Sequence, residues 1–306
     1  MQKEISRVVD ELSRFGQLSL PAWPASLPFS AEQFGLERVG EVWQWSLVPQ
    51  PFDVARIERA LSEHNLTCFE CVDSTNTQMV DLGRQRSIAG QVYLAEFQFG
   101  GKGRRGRHWM SPFGRNLAIS LGFATHKPLN ELGGMSLVVG LALAEVLDAA
   151  GVEALTLKWP NDLLLAGRKL GGVLIELIQR GHHTEFVVGF GLNLALTPGE
   201  IAAIGQPVAD LRSGVHIIDR SQLAVACVQT VNRYLTLFED EGFAPFVRAF
   251  NDLHFYQGKN CTLIQGDQSI VGRVEGVGLD GELILVTQHG EERFHGGEVS
   301  LRSSSP

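Results

Sequence analysis

Apolar positions along the chain change period several times, and each change marks an element. Ile5, Val8, Val9 and Leu12 recur at helical spacing, which predicts an amphipathic helix over residues 3–15 ended by Gly16. Pro21, Pro24 and Pro28 exclude a regular helix from the next stretch, with room for a short helical turn at 30–34. Residues 42–48 read as a strand holding Trp43 and Trp45. A helix at 54–61, a strand at 66–72, a helix from the Asp73-Ser74-Thr75-Asn76 cap cluster to about 82, and a strand at 90–97 follow. Residues 117–123 read as a buried strand, and 132–150 as a nearly all-round apolar core helix before Gly151. Extended segments are predicted at 155–159, 163–165, 170–178 and 186–196, with a polar hairpin tip at 180–183. Helices at 221–241 and 243–253 precede a change of character from Gly258 onward. There, short strands alternate with turn signals at Gly266-Asp267, Asp280-Gly281, His289-Gly290 and Gly296-Gly297, which describes a small β-barrel.

The length of 306 residues suffices for two or three domains with a large core. The net charge of −8 argues against a general polyanion binder. Against that background Lys102, Arg104, Arg105 and Arg107 alternate with Gly100, Gly101, Gly103 and Gly106. Such a loop reads as a mobile cationic flap hinged on the following strand, suited to a small phosphate-bearing ligand. The first ten residues are charged and lack the apolar run of a signal peptide, and the apolar stretch 135–144 is too short to span a bilayer. Of the four cysteines, Cys68 and Cys71 form a Cys-x-x-Cys that could suggest zinc or redox chemistry, but no second pair exists and the two lie in an apolar run, so reduced packing cysteines of a cytoplasmic protein are the expectation for this pair.

Further motifs follow in order: Lys158-Trp159-Pro160-Asn161-Asp162, Gly167-Arg168-Lys169-Leu170-Gly171-Gly172, Val173-Leu174-Ile175-Glu176-Leu177, Gly189-Phe190-Gly191-Leu192-Asn193, and the terminal Gly296 to Arg302 run. With Asp73 to Asn76 and the glycine-basic loop, they resemble the biotin protein ligases over roughly residues 53–303. The resemblance implies an α+β fold. Its central mixed β-sheet is packed with helices, like class II aminoacyl-tRNA synthetases. A small C-terminal SH3-like barrel and a small N-terminal winged-helix-like segment complete it. The implied domains are 1–52, 53–257 and 258–306. Residues 1–52 hold four basic and six acidic residues and no basic recognition helix, so the wing reads as degenerate and DNA binding as unlikely.

The implied chemistry is ATP-dependent formation of biotinoyl-5′-AMP, then transfer to a lysine of a biotin carboxyl carrier domain, with Mg²⁺ on the ATP phosphates. By the same resemblance Ser74, Thr75, Asn76, Gln98, Lys102, Gly103, Arg104 and Lys169 face biotin. Arg107, Trp109, Asn161, Asn193 and Arg302 face the nucleotide, and Lys169, Arg104 and Asp162 carry catalysis. Asp162 is a candidate for metal binding, for accepting the acceptor lysine's proton, or simply for capping a turn. Trp109 stacks on adenine or fills core; Arg302 reaches the nucleotide or lies on the surface. Lys102 stands where the family commonly has Arg, which keeps the charge and loses the bidentate fork. A homodimer is compatible with the family. The alternatives are a lipoate or octanoate transferase, a biotin-sensing repressor, and a paralogue that only binds biotin.

Overall fold

The computed structural model describes residues 1–180, 183–213, 219–296 and 299–303. In chain order the elements are α1 Gln2–Phe15, β1 Leu18–Ser19, α2 Ala31–Phe34, β2 Leu36–Val39, β3 Val42–Trp45, α3 Val54–Ala60, β4 Asn65–Val72, α4 Thr75–Gly83, β5 Gln91–Gln98 and β6 Asn116–Thr125. Then come α5 Met135–Ala149, β7 Leu155–Lys158, β8 Asp162–Leu165, β9 Arg168–Arg180, β10 His183–Asn193, α6 Pro198–Ile204, α7 Arg220–Glu241 and α8 Val247–Leu253. The last strands are β11 Asn260–Gln265, β12 Gln268–Val277, β13 Leu283–Thr287, β14 Gly290–Phe294 and β15 Val299–Ser303. The expected turn at Gly181 and His182, and the Gly297-Glu298 pair, lie outside the described residues.

Two compact units emerge. The first holds residues 1–124 and 174–225, the second 125–173 and 226–306. The first is built on β4-β5-β6-β10 and the later part of β9, with β4 parallel to β5 and β5 antiparallel to β6. This is the mixed sheet of an α+β fold, covered by α4. The N-terminal segment belongs to the same core. Ile5, Val8 and Leu12 of α1 and Phe29 and Phe34 cluster with Phe97 and Phe113. Phe29 and Phe97 ring centroids are 4.6 Å apart, and Phe34 and Phe113 4.9 Å. Backbone bonds Phe113 N–Phe34 O at 3.1 Å and Gln50 N–Gly114 O at 2.9 Å continue this seam. Among the described residues, the segment's helices are α1 and the one-turn α2, beside the three-stranded sheet β1-β3-β2. Buried Arg220 at the start of α7 pairs with Glu96 and donates to Gln50 O, Ala95 O and Asn116 O, so one guanidinium braces linker, sheet and loop exit.

The second unit contains α5, the β7-β8 hairpin with the start of β9, and the C-terminal barrel. The five-stranded barrel sheet runs β14-β13-β12-β11-β15, all antiparallel. Trp159, fully buried, donates its indole N–H to Gly281 O at 3.1 Å at the tip of a barrel turn. Asn251 of α8 clamps Val277 from both ends, accepting from Val277 N at 2.8 Å and donating to Val277 O.

Some elements differ from their patterns. The helix predicted over 132–150 begins at Met135, because its N-cap Gly134 adopts a left-handed φ of 81°; the residues just before it form a short 3-10 turn, Leu129–Glu131, that ends at Leu132. The 243–253 helix divides into a 3-10 turn over Ala244–Phe246, with Pro245 inside it, and α8. The 42–48 strand stops at Trp45 and the 186–196 strand at Asn193. α6 is an addition. Its signals are Thr197 and Glu200 in a reciprocal capping box, with Pro198 in the first turn. The 73–76 cluster starts α4 as expected, yet the Ser74 side chain makes no capping bond.

Candidate active site

In the first unit a ring of polar side chains is buried between the start of α4 and the strands β5 and β6. Thr75, Asn76, Gln98 and Ser120 are all buried. The Thr75 amide donates to Gln98 Oε1 at 2.8 Å, and the Thr75 and Ser120 hydroxyls are 2.8 Å apart. Ser120 lies 2.6 Å from Asn76 Oδ1, and Asn76 Nδ2 donates to Glu176 Oε2 at 2.8 Å and Leu174 O at 3.3 Å. Gln98 Nε2 reaches Ser111, whose hydroxyl lies 2.8 Å from Asn116 Oδ1. Buried groups of this kind persist only when satisfied, and the ring satisfies them while leaving donors and acceptors for a small polar ligand. Ser74 is buried beside the ring, and its own amide is capped by Asp73 at 2.7 Å.

Two glycines of the Gly189-Phe190-Gly191 motif explain themselves here. A Cβ at Gly189 would sit inside the Asn76 amide, and one at Gly191 would be 2.7 Å from the Trp109 indole. Both strand positions are therefore hollow so that side chains from elsewhere can lie on β10.

The glycine-basic loop is folded rather than open. Gly100 N bonds Asp73 O at 2.9 Å, tying the loop to the start of α4. Trp109 N then bonds Gly101 O at 2.8 Å and Gly103 N bonds Arg107 O at 2.7 Å, closing a small hairpin around a turn at Arg104–Gly106. Its glycines permit this close pairing: a Cβ on Gly101 would strike the Trp109 carbonyl. The expected free flap is thus a hairpin with exposed Lys102, Arg105 and Arg107 and a half-buried Arg104. Lys102 contributes its backbone to a bridge with His108, so the hairpin itself tolerates Lys in place of Arg. At the loop exit, buried Arg115 grips Glu200 at 2.5 and 2.8 Å and donates to Ala195 O. Asn193 is buried, and its amide donates to Ala209 O at 3.1 Å, so that nitrogen is engaged in holding the chain.

The second unit holds the other candidates. Ala166 and Gly167, with φ of 48° and 74°, turn β8 into β9. The register then shifts between Leu163 and Leu164, inserting Leu170 as a bulge. Lys169 opposes Leu164, two residues from Asp162, so both side chains share a face and meet at 2.6 Å. Each is about one-fifth exposed. Asn161 Nδ2 donates to Val173 O at 2.8 Å. Lys158 lies over the Tyr256 ring at 5.7 Å. Arg302 is exposed on β15, opposite Thr262. Among the described residues there is no cluster of three or more His, Cys, Asp or Glu able to cage a metal, and no helix is long and apolar enough to cross a membrane.

The four cysteines are unpaired thiols. Burial pushes Cys68, Cys71 and Cys227 up to about 12 and Cys261 up to about 11, which keeps them as inert packing groups.

Ser111, Asn116, Ser120 and Glu176 complete the ring and were not singled out from sequence. The available signal was one polar residue inside an apolar strand: Ser120 within 117–123 and Glu176 within 173–177.

Residues 68–193 match the Biotin/lipoate A/B protein ligase family, and residues 256–302 match the Biotin protein ligase C terminal domain. The Bifunctional ligase/repressor BirA of Salmonella typhimurium is 37% identical over 262 residues, covering 84% of this chain and 81% of that protein. The Biotin--[acetyl-CoA-carboxylase] ligase of Paracoccus denitrificans is 33% identical, over 74% of this chain and 96% of its own length. The biotin protein ligase of Aquifex aeolicus, solved in complex with biotin and ATP, superposes with a TM-score of 0.69 at 28% identity, covering 78% of this chain and 99% of that one. With these motifs, folds and relatives in agreement, the chain belongs to the biotin protein ligase family and is a biotin ligase.

Proposed function

We propose that the chain uses ATP to convert biotin to biotinoyl-5′-AMP and pyrophosphate, then transfers the biotinoyl group to a lysine amine of a biotin carboxyl carrier domain. The observation that carries this reading is the buried ring of Thr75, Asn76, Gln98 and Ser120 beside Ser74. A cyclic urea offers one carbonyl acceptor and two N–H donors, and hydroxyl and amide groups match all three. An octanoyl chain offers no such groups and would leave the ring's remaining donors and acceptors unmatched.

In the first step a biotin carboxylate oxygen attacks the ATP α-phosphorus and the bond to pyrophosphate breaks. Two unit negative charges 4 Å apart repel by about 4 kcal/mol at an effective dielectric of 20. Arg104 and Arg107 on the hairpin and Lys169 on β9 are the cations assigned to offset this. Lys169 is held by Asp162 at 2.6 Å, which fixes its ammonium before substrate arrives. Lys102 and Gly103 shape the hairpin against biotin; Trp109, Asn161 and Arg302 are assigned to the nucleotide. Asn193 is kept as a nucleotide contact through its oxygen. Mg²⁺ would be carried by the ATP phosphate oxygens and water, and when bound it would neutralise phosphate charge. In the second step the acceptor amine must lose a proton to attack, and Asp162 is the assigned acceptor.

The segments 1–52, 53–257 and 258–306 are taken as scaffold, catalytic domain and barrel. DNA binding is left out of this reading. α1 turns Ile5, Val8 and Leu12 into the core, and residues 1–52 hold fewer basic than acidic residues. The protein incubated with biotin, ATP, Mg²⁺ and a carrier domain should add one biotinoyl group to one lysine, read by mass spectrometry. Octanoyl transfer without biotinoyl transfer would overturn the reading.

A further inference from the structure

Glu176 is a charged residue within the apolar run 173–177 of β9, and its carboxylate is spent on a neutral amide. Asn76 Nδ2 gives its protons to Glu176 Oε2 at 2.8 Å and Leu174 O at 3.3 Å. Both partners are pure acceptors, so the nitrogen of the amide must face them and the oxygen must face the other way. That oxygen meets Ser120 Oγ at 2.6 Å and can only accept, so Ser120 donates there. A hydroxyl has one proton. With Ser120's proton spent on Asn76, the Thr75 hydroxyl has two inward acceptors, Ser120 Oγ at 2.8 Å and Gln98 Oε1 at 3.2 Å. The Thr75 hydroxyl, its proton directed inward, then offers lone pairs to whatever enters the pocket.

We propose that Glu176 is a positioning residue that sets the direction of this whole hydrogen-bond chain, so that the pocket presents an acceptor at Thr75 and selects a urea N–H. The inference rests on the reading that Ser74, Thr75 and Asn76 receive the biotin ring. Without Glu176 the Asn76 amide can turn over and Ser120 can reverse and donate to Thr75, which leaves the Thr75 proton only the longer contact to Gln98 Oε1, an oxygen already holding the Thr75 amide, or the ligand, where the match is lost. Glu176→Gln keeps an acceptor oxygen of the same reach and should recover most of the function; Glu176→Ala keeps none.

The test is biotin-dependent ATP–pyrophosphate exchange with KM for biotin and for ATP measured separately, alongside desthiobiotin, which keeps the urea and lacks the thioether. Glu176→Ala should raise KM for biotin about tenfold, the value of one hydrogen bond to a charged or buried partner. It should raise KM for desthiobiotin by the same factor and leave KM for ATP and kcat unchanged. Thr75→Ala should raise KM for biotin as well. An unchanged biotin KM in Glu176→Ala beside a raised one in Thr75→Ala would overturn the positioning role and leave the pocket reading intact. No change in either variant would overturn both. If Glu176→Ala is too unstable to assay, Glu176→Gln decides. A rise of about tenfold in biotin KM in Glu176→Gln, which keeps an acceptor oxygen, would overturn the proposal. A parallel loss of kcat and ATP KM would reduce Glu176 to a structural residue.

Discussion

Gly189 offers a clean perturbation, because the reason for its glycine is steric and local. A methyl group there would occupy the space of the Asn76 amide. Gly189 sits on β10 and Asn76 in the first turn of α4, so relief requires the Asn76 side chain to leave. Leaving breaks its bonds to Glu176 and Leu174 and the one from Ser120. Of these, the bond to the carboxylate is worth about 1.5–3 kcal/mol and neutral ones about 1 kcal/mol each. With partial relaxation the pocket should lose about 2 kcal/mol of ligand affinity, which is roughly thirtyfold in the dissociation constant. Gly189→Ala should therefore bind biotin roughly thirtyfold more weakly by titration calorimetry. Asn76→Ala removes the obstructed group, so adding Gly189→Ala to it should cost almost nothing more. Contacting residues are non-additive in this way. Independent, additive losses from the two substitutions would refute the reasoning, because the glycine would then serve some purpose other than admitting Asn76.

Gly191→Ala should displace the Trp109 indole, which it would approach to 2.7 Å, and raise KM for ATP while sparing KM for biotin; steady-state exchange kinetics check both. Buried His254, both of whose ring nitrogens lack a hydrogen-bond partner, is pushed down to about 4 by desolvation, with a smaller contribution from Lys259. The unfolded chain binds its proton near 6.5, the folded one only near 4, so stability should fall by about 3 kcal/mol as pH drops through that window. His254→Phe should flatten this dependence in urea titrations at pH 4.5 and 7. The cysteines, raised to about 11 or 12, should resist alkylation at pH 8 until the protein is unfolded, as thiol labelling with and without denaturant would reveal. Arg220→Met leaves the Glu96 carboxylate buried and unpaired, and should destabilise the first unit by about 3–5 kcal/mol in denaturant unfolding.

Much of the fold was legible in the residue pattern because its elements have clear periods and clear ends. Gly16 closes α1 with a φ of 72°, and Gly258 begins the run of short barrel strands as its turn residues suggest. What escaped were boundaries set by a local conformation, such as the start of α5 after Gly134, and the short α6, whose cap was present and unread. In the site, Thr75 is bonded to Gln98 and joined to Asn76 through Ser120, beside buried Ser74, and Lys169 meets Asp162. The supports did not show, because they are long-range. Glu176 is 100 residues from Asn76, and Ser120 is 44. No local pattern reports that a glycine on β10 is there for an asparagine on α4. The hairpin was read as a loose flap for a related reason: glycines there permit backbone pairing, and composition alone does not distinguish pairing from freedom.

On the proposed reading, adenylation of biotin draws essential positive charge from Lys169. Exchange of labelled pyrophosphate into ATP, measured with biotin or octanoate for wild type and Lys169→Ala, tests it most directly. Exchange is expected with biotin, absent with octanoate, and reduced about 10²–10³-fold or more in the variant. Undiminished biotin-dependent exchange by Lys169→Ala, or exchange with octanoate alone, would contradict it.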